Sequence, residues 1–82
     1  MDIQLTLKDY IVKEFMHERD KSLLASDTPL IEEGIIDSMG LMRLVHFIED
    51  TFGIEINEED LDIENFRTVD ALTTFIQEKS SG

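Results

Sequence analysis

Ser38 stands at the most chemically suggestive place in the chain. It lies between Asp37 and Met39, behind the run Glu32-Glu33-Gly34-Ile35-Ile36 and ahead of the largely apolar stretch from Gly40 to Ile54. A serine there opens a helix, where free backbone N–H groups and the positive end of the helix dipole favour an attached phosphate. The same place also suits a serine or aspartate that only caps the helix, and the residues alone allow both readings. Self-catalysed acyl transfer is disfavoured. His46 lies eight residues on, about 12 Å along a helix axis, and His17 belongs to a different helix. No Gly-x-Ser-x-Gly elbow and no neighbouring lysine could activate the hydroxyl.

Several elements must position that serine. Ile3, Leu7, Ile11 and Phe15 recur every four residues, with Tyr10, Val12 and Met16 widening the stripe. This predicts an amphipathic helix over about residues 3–19. A long connection follows from Asp20 to Asp37, holding Pro29 and Gly34 and pinned by Leu23, Leu24, Leu30, Ile31, Ile35 and Ile36. The second helix starts at Ser38, buries Leu41, Leu44, Val45, Ile48 and Phe52, and ends at Gly53 as C-cap. After the extended link Ile54-Glu55-Ile56, Asn57 and Asp60 form the ends of a capping box. A short third helix over 58–66 buries Leu61 and Phe66, with a break near Ile63. Thr68 caps the last helix, whose Val69, Leu72, Phe75 and Ile76 face inward, while Lys79 complements its C-terminal dipole. The chain is ordered over about 3–79, with residues 80–82 frayed. The expected fold is a single all-α domain, a small four-helix bundle with one short third helix and a long first loop.

Composition narrows the function classes. Eighty-two residues make one small domain, and the absence of cysteine excludes disulfides and thiolate metal sites. No apolar run approaches the roughly 18–20 residues of a membrane span, and Met1-Asp2-Ile3-Gln4 lacks the basic start of a signal peptide. A cytoplasmic protein is the expectation. The net charge is −12, of which residues 28–82 carry −10. That field disfavours nucleic acid and anionic lipid, attracts basic protein surfaces, and through self-repulsion favours a monomer. Glu58-Glu59-Asp60-x-Asp62 lacks the glycine and ligand spacing of a calcium loop, so no metal site is expected.

Taken in order, these motifs resemble the acyl carrier protein family. Glu33-Gly34-Ile35-Ile36-Asp37-Ser38-Met39 is similar to the family's Glu-x-Gly-hydrophobic-Asp-Ser-Leu entry. Phe47-Ile48-Glu49-Asp50-x-Phe52-Gly53-Ile54-x-Ile56 is similar to its exit from the second helix, and Thr68-Val69 to the start of its last one. The resemblance implies a non-catalytic carrier in which Ser38 bears a covalent 4′-phosphopantetheine, added from coenzyme A by a phosphopantetheinyl transferase. Cargo would hang from the terminal thiol as a thioester, at raised effective concentration for successive enzymes. Asp37 would orient the transferase or its metal, and Met39 and Met42 would flank the arm.

The departures from the fatty-acid pattern point to a specialised carrier for polyketide, nonribosomal-peptide or aminoacyl chemistry. Met39 replaces the usual leucine, and Gly40 stands where an acid is common. Arg43 occupies a position where such carriers present a glutamate to basic partners, which weakens docking to housekeeping fatty-acid enzymes. The implied partners are an acyl- or aminoacyl-activating ligase, an acyltransferase or condensing enzymes. They would be met through Met42, Arg43, His46, Glu49, Asp50, Glu59 and Asp60. The alternatives are a housekeeping fatty-acid carrier and an unmodified acidic interaction module in which Ser38 is only a cap.

Overall fold

The computed structural model describes residues 2–17 and 24–81. Three α-helices, α1 (Ile3–Phe15), α2 (Ser38–Phe52) and α3 (Val69–Ser81), are joined with two 3-10 turns, Glu58–Asp60 and Ile63–Phe66, among these residues. The all-α class agrees with the sequence reading. The third helix does not form as one unit.

Each helix starts where a side chain can accept an orphan amide. The Asp2 carboxylate accepts the Leu5 amide at 3.1 Å, and the Thr68 hydroxyl accepts the Ala71 amide at 3.0 Å. α1 stops at Phe15, short of the expected residue 19. The reason lies in the backbone: Met16 closes the helix by donating its N–H in a hydrogen bond to the Ile11 carbonyl, and His17 adopts a left-handed φ of 57° that no α-helix continues. Residues 18 and 19 lie outside the described residues, as does Leu23. α2 ends as predicted, with Gly53 at φ 66° donating to the Glu49 carbonyl at 3.0 Å.

The core is built from the predicted stripes. Leu7, Ile11 and Val12 of α1, Leu44, Val45 and Ile48 of α2, and Val69, Leu72, Phe75 and Ile76 of α3 are all buried, while Leu41 and Phe52 are half-buried at its edge. Tyr10 stacks on Phe47 with ring centroids 3.8 Å apart, bridging α1 to α2. The long connection is pinned in two ways. Leu24, Leu30 and Ile36 enter the core, and its backbone is stitched to the start of α3. The Leu30 amide donates to the Arg67 carbonyl at 2.8 Å, and the Asp70 amide donates to the Ser26 carbonyl at 3.0 Å. These bonds fix the approach to Ser38 from one side.

The 58–66 segment departs from expectation. Its backbone is extended at Asp62 (φ −88°, ψ 132°), so the break falls at Leu61–Asp62, before Ile63. The Asp62 carboxylate accepts the Glu64 amide at 3.0 Å and starts a second turn in place of continuing the first. Phe66 is buried against Phe75, at 5.6 Å between centroids. Leu61, expected inside, is 37 % exposed, and Ile63 is 58 % exposed. Lys79 also has a more specific role than complementing a dipole, since its ammonium contacts the Asp60 carboxylate at 2.6 Å.

Candidate functional site

The site begins with Asp37. Its backbone is extended (φ −96°, ψ −176°), and its Oδ1 accepts the Gly40 amide at 2.7 Å. The Asp37 carbonyl accepts the Leu41 amide at 2.8 Å. Asp37 is thus the N-cap, which leaves Ser38 as the first helical residue instead of the cap. Ser38 is exposed, and Met39 beside it is 80 % exposed. The amides of Ser38 and Met39 precede any intrahelical acceptor, so they face outward together at the positive end of a 15-residue helix. That end suits a phosphodiester on Ser38 Oγ. The carboxylate nearest in sequence, that of exposed Asp37, has its Oδ1 engaged by the Gly40 amide.

No side chain near Ser38 is arranged to activate it among the described residues. His46 is exposed two turns along α2, and His17 lies past the end of α1. Among the described residues, no group of three His, Asp or Glu could hold a metal ion. The hydroxyl is therefore an accessible acceptor, open to a second protein that brings its own base.

The residues expected to dock partners divide into two groups. Met42, His46, Asp50 and Glu59 are exposed. Of these, the side chains of His46, Asp50 and Glu59 make no hydrogen bond or ion pair with another described residue. Arg43, Glu49 and Asp60 are engaged within the domain. Arg43 Nη2 contacts Glu14 at 2.8 Å, and its guanidinium lies 5.0 Å from the Phe15 ring centroid. Glu49 Oε2 accepts the Ile56 amide at 3.0 Å, holding the extended link, and Asp60 is fastened to Lys79. Tyr10 donates its hydroxyl to the Arg43 carbonyl at 3.4 Å. Burial raises the Tyr10 pKa; the Arg43 charge opposes this and Glu14 adds to it.

An open groove of about 470 Å³ runs between the end of α1 and the start of α2, bordered by Lys13, Phe15, His17, Ile35, Met39 and Arg43. Its lysine and arginine are already paired, Lys13 with Asp9 and Arg43 with Glu14. Sequence reading missed the packing of Gly40, which is buried in the first turn of α2. A glycine inside a strongly periodic helix was the available signal.

A family model described as phosphopantetheine attachment site matches residues 7–76. The chain belongs to that family. It is a non-catalytic carrier protein, and its cofactor is 4′-phosphopantetheine held covalently on a serine. The carrier is 29 % identical over 75 residues to the probable acyl carrier protein PigG of a Serratia species, covering 92 % of this chain and 85 % of that protein. It is 35 % identical over 54 residues to the D-alanyl carrier protein of Lactococcus lactis subsp. cremoris, covering 66 % of this chain and 68 % of the relative. The D-alanyl carrier protein of Lactococcus lactis subsp. lactis is 36 % identical over 53 residues, covering 65 % of this chain and 67 % of the relative. Among the described residues, no helix of the carrier is long and apolar enough to cross a membrane.

Proposed function

We propose that Ser38 is the attachment serine and that the protein carries acyl or aminoacyl groups as thioesters in specialised metabolism. One observation carries the first part: Ser38 is exposed at the first helical position behind the Asp37 cap, inside the matched family span. Ser26 is a poorer acceptor, since it is half-buried and donates its hydroxyl to Gln4 Oε1 at 3.3 Å. Ser38 Oγ would attack the pantetheine-side phosphorus of the coenzyme A pyrophosphate, passing its proton to a base on the transferase, so that a new O–P bond forms as the P–O–P bond breaks. The phosphopantetheinyl group stays on Ser38 and 3′,5′-ADP leaves. The first-turn amides of Ser38 and Met39 favour the phosphodiester so formed. When bound, the arm supplies a terminal thiol for the cargo, and the protein's own part is to present that arm to successive enzymes.

Three lines support the specialised reading. The relatives include a D-alanyl carrier protein, which supports an amino acid as a cargo to test first. Arg43 removes an acid from the face that fatty-acid carriers use. The exposed Met39, Met42, His46, Asp50 and Glu59 leave a mixed apolar and acidic surface, suited to basic partners with an apolar centre. Those partners are the transferase, an activating ligase, and acyltransferase or condensing enzymes. The protein is read as a cytoplasmic monomer.

Intact mass after incubation with coenzyme A, Mg²⁺ and a broad-specificity phosphopantetheinyl transferase tests the assignment. The expected result is one added phosphopantetheine on the wild type and none on Ser38→Ala. An unmodified but folded wild type, with several transferases, would leave Ser38 as a surface helix residue and favour the interaction module. Loading of amino acids against long acyl chains on the modified protein then separates the specialised carrier from a housekeeping one.

A further inference from the structure

Gly40 occupies the first turn of the attachment helix, although glycine is among the poorest helix formers. A Cβ built there would stand 2.7 Å from Phe15 Cε1 and 3.1 Å from Asp37 Oδ1. The first distance is shorter than non-bonded carbons tolerate. Phe15 is the last residue of α1, so the end of one helix is seated in the notch left by a missing side chain on the other. Tyr10 meets the Phe15 ring edge-on, with centroids 5.8 Å apart at 79°. Arg43 lies over it at 5.0 Å and is held there by Glu14 at 2.8 Å. Asp37, whose carboxylate caps the Gly40 amide, borders the same notch.

We propose that Gly40, Phe15 and the Arg43–Glu14 pair form a clamp that fixes the first turn of α2 and so positions Ser38, with Arg43 acting inside the domain and not on a partner. The proposal rests on Ser38 being the attachment serine. The contact magnitudes assign the parts. The Arg43–Glu14 pair is about half exposed, and such pairs contribute little alone. The ring seated against the Gly40 backbone carries the constraint. The ion pair sets where the guanidinium lies over the ring and keeps the ring down. Ser38 and Met39 are joined through the backbone to Asp37 on one side and Gly40 on the other, within one helical turn, so a shift of Gly40 or of the Asp37 cap carries to them.

The test compares Gly40→Ala, Phe15→Leu and their combination, and separately Arg43→Gln, Glu14→Gln and their combination. The readouts are the amide chemical shifts of Ser38 and Met39 in the unmodified protein, its Tm, and the transferase kcat and KM. Gly40→Ala is expected to move both amides and lower Tm, although alanine is the better helix former. It should reduce kcat about tenfold or more by misplacing the hydroxyl, with KM changed less than about twofold. Adding Phe15→Leu to Gly40→Ala should restore shifts and rate. Arg43→Gln and Glu14→Gln should each move the same two amides, by less than Gly40→Ala does, and the pair together no more than either alone. A Gly40→Ala protein with raised Tm and unmoved amides would overturn the clamp. So would an Arg43→Gln that changes KM while Glu14→Gln does not, because Arg43 would then belong to a partner interface. If Gly40→Ala fails to fold, the Arg43–Glu14 cycle decides by the same criteria. Failure of the wild type to be modified would sink the assignment of Ser38, whereas shifts and Tm would still judge the packing.

Discussion

The Lys79 ammonium lies 2.6 Å from the Asp60 carboxylate, joining the end of α3 to the first 3-10 turn. The same carboxylate accepts the Asn57 amide at 2.9 Å. The Lys79 hydrogen bond, followed by that of the Asn57 amide, lowers the Asp60 pKa from its ordinary value of 3.8. A carboxylate with a depressed folded-state pKa contributes stability above its unfolded pKa, and that stability is lost as pH falls through the folded value. Thermal melts of the wild type and Asp60→Asn should therefore differ at neutral pH and converge on acidification below the ordinary aspartate range. Curves that stay parallel across that range would remove Asp60 from the acid response.

Asp37 supplies the cap that separates the attachment residue from the capping residue. Asp37→Ala should cost about 1 kcal/mol, and Asp37→Asn a fraction of that, because asparagine retains an acceptor oxygen. Urea denaturation measures both. Equal losses for the two variants would assign the effect to charge and not to capping.

Gly53 closes α2 with φ 66°, and a Cβ added there would meet nothing within 4 Å, so any penalty for a side chain is conformational. Gly53→Ala should cost about 1–2 kcal/mol through left-handed strain, and Gly53→Asn less. The midpoint of chemical unfolding reads this, and an unchanged midpoint for Gly53→Ala would contradict it.

Phe66 and Leu61 are five positions apart and have opposite burial, 1 % against 37 % exposed. Phe66→Ala should cost about 3–5 kcal/mol, enough to leave a domain this small largely unfolded. Leu61→Ser should change stability by about 1 kcal/mol or less, since little apolar area is lost. Comparable losses at the two sites would mean that Leu61 is buried after all. With folding intact, Leu61→Ser and Ile63→Ser also become clean probes of partner binding.

Features that depend on near neighbours along the chain were legible in the sequence. The helix stripes follow from a repeat of three and four residues, the caps at Asn57 and Thr68 from side chains reaching amides within one turn, and the Gly53 stop from glycine's access to positive φ. The exposed, helix-opening position of Ser38 was legible for the same reason, because that helix start is encoded within a few residues on either side. The tertiary structure decided which charges are free. Arg43 meets a glutamate 29 positions earlier, and Asp60 meets a lysine from the end of the last helix. Arg43 and Asp60, both read as docking groups, are thereby committed inside the domain, as Glu49 is by the Ile56 amide. It also decided that the 58–66 segment splits, since Asp62 turns the chain before one helix can continue and leaves Leu61 partly outside. Contacts across that span depend on how helices pack, and periodicity along a single helix does not encode which side chain from another element will fill its notches.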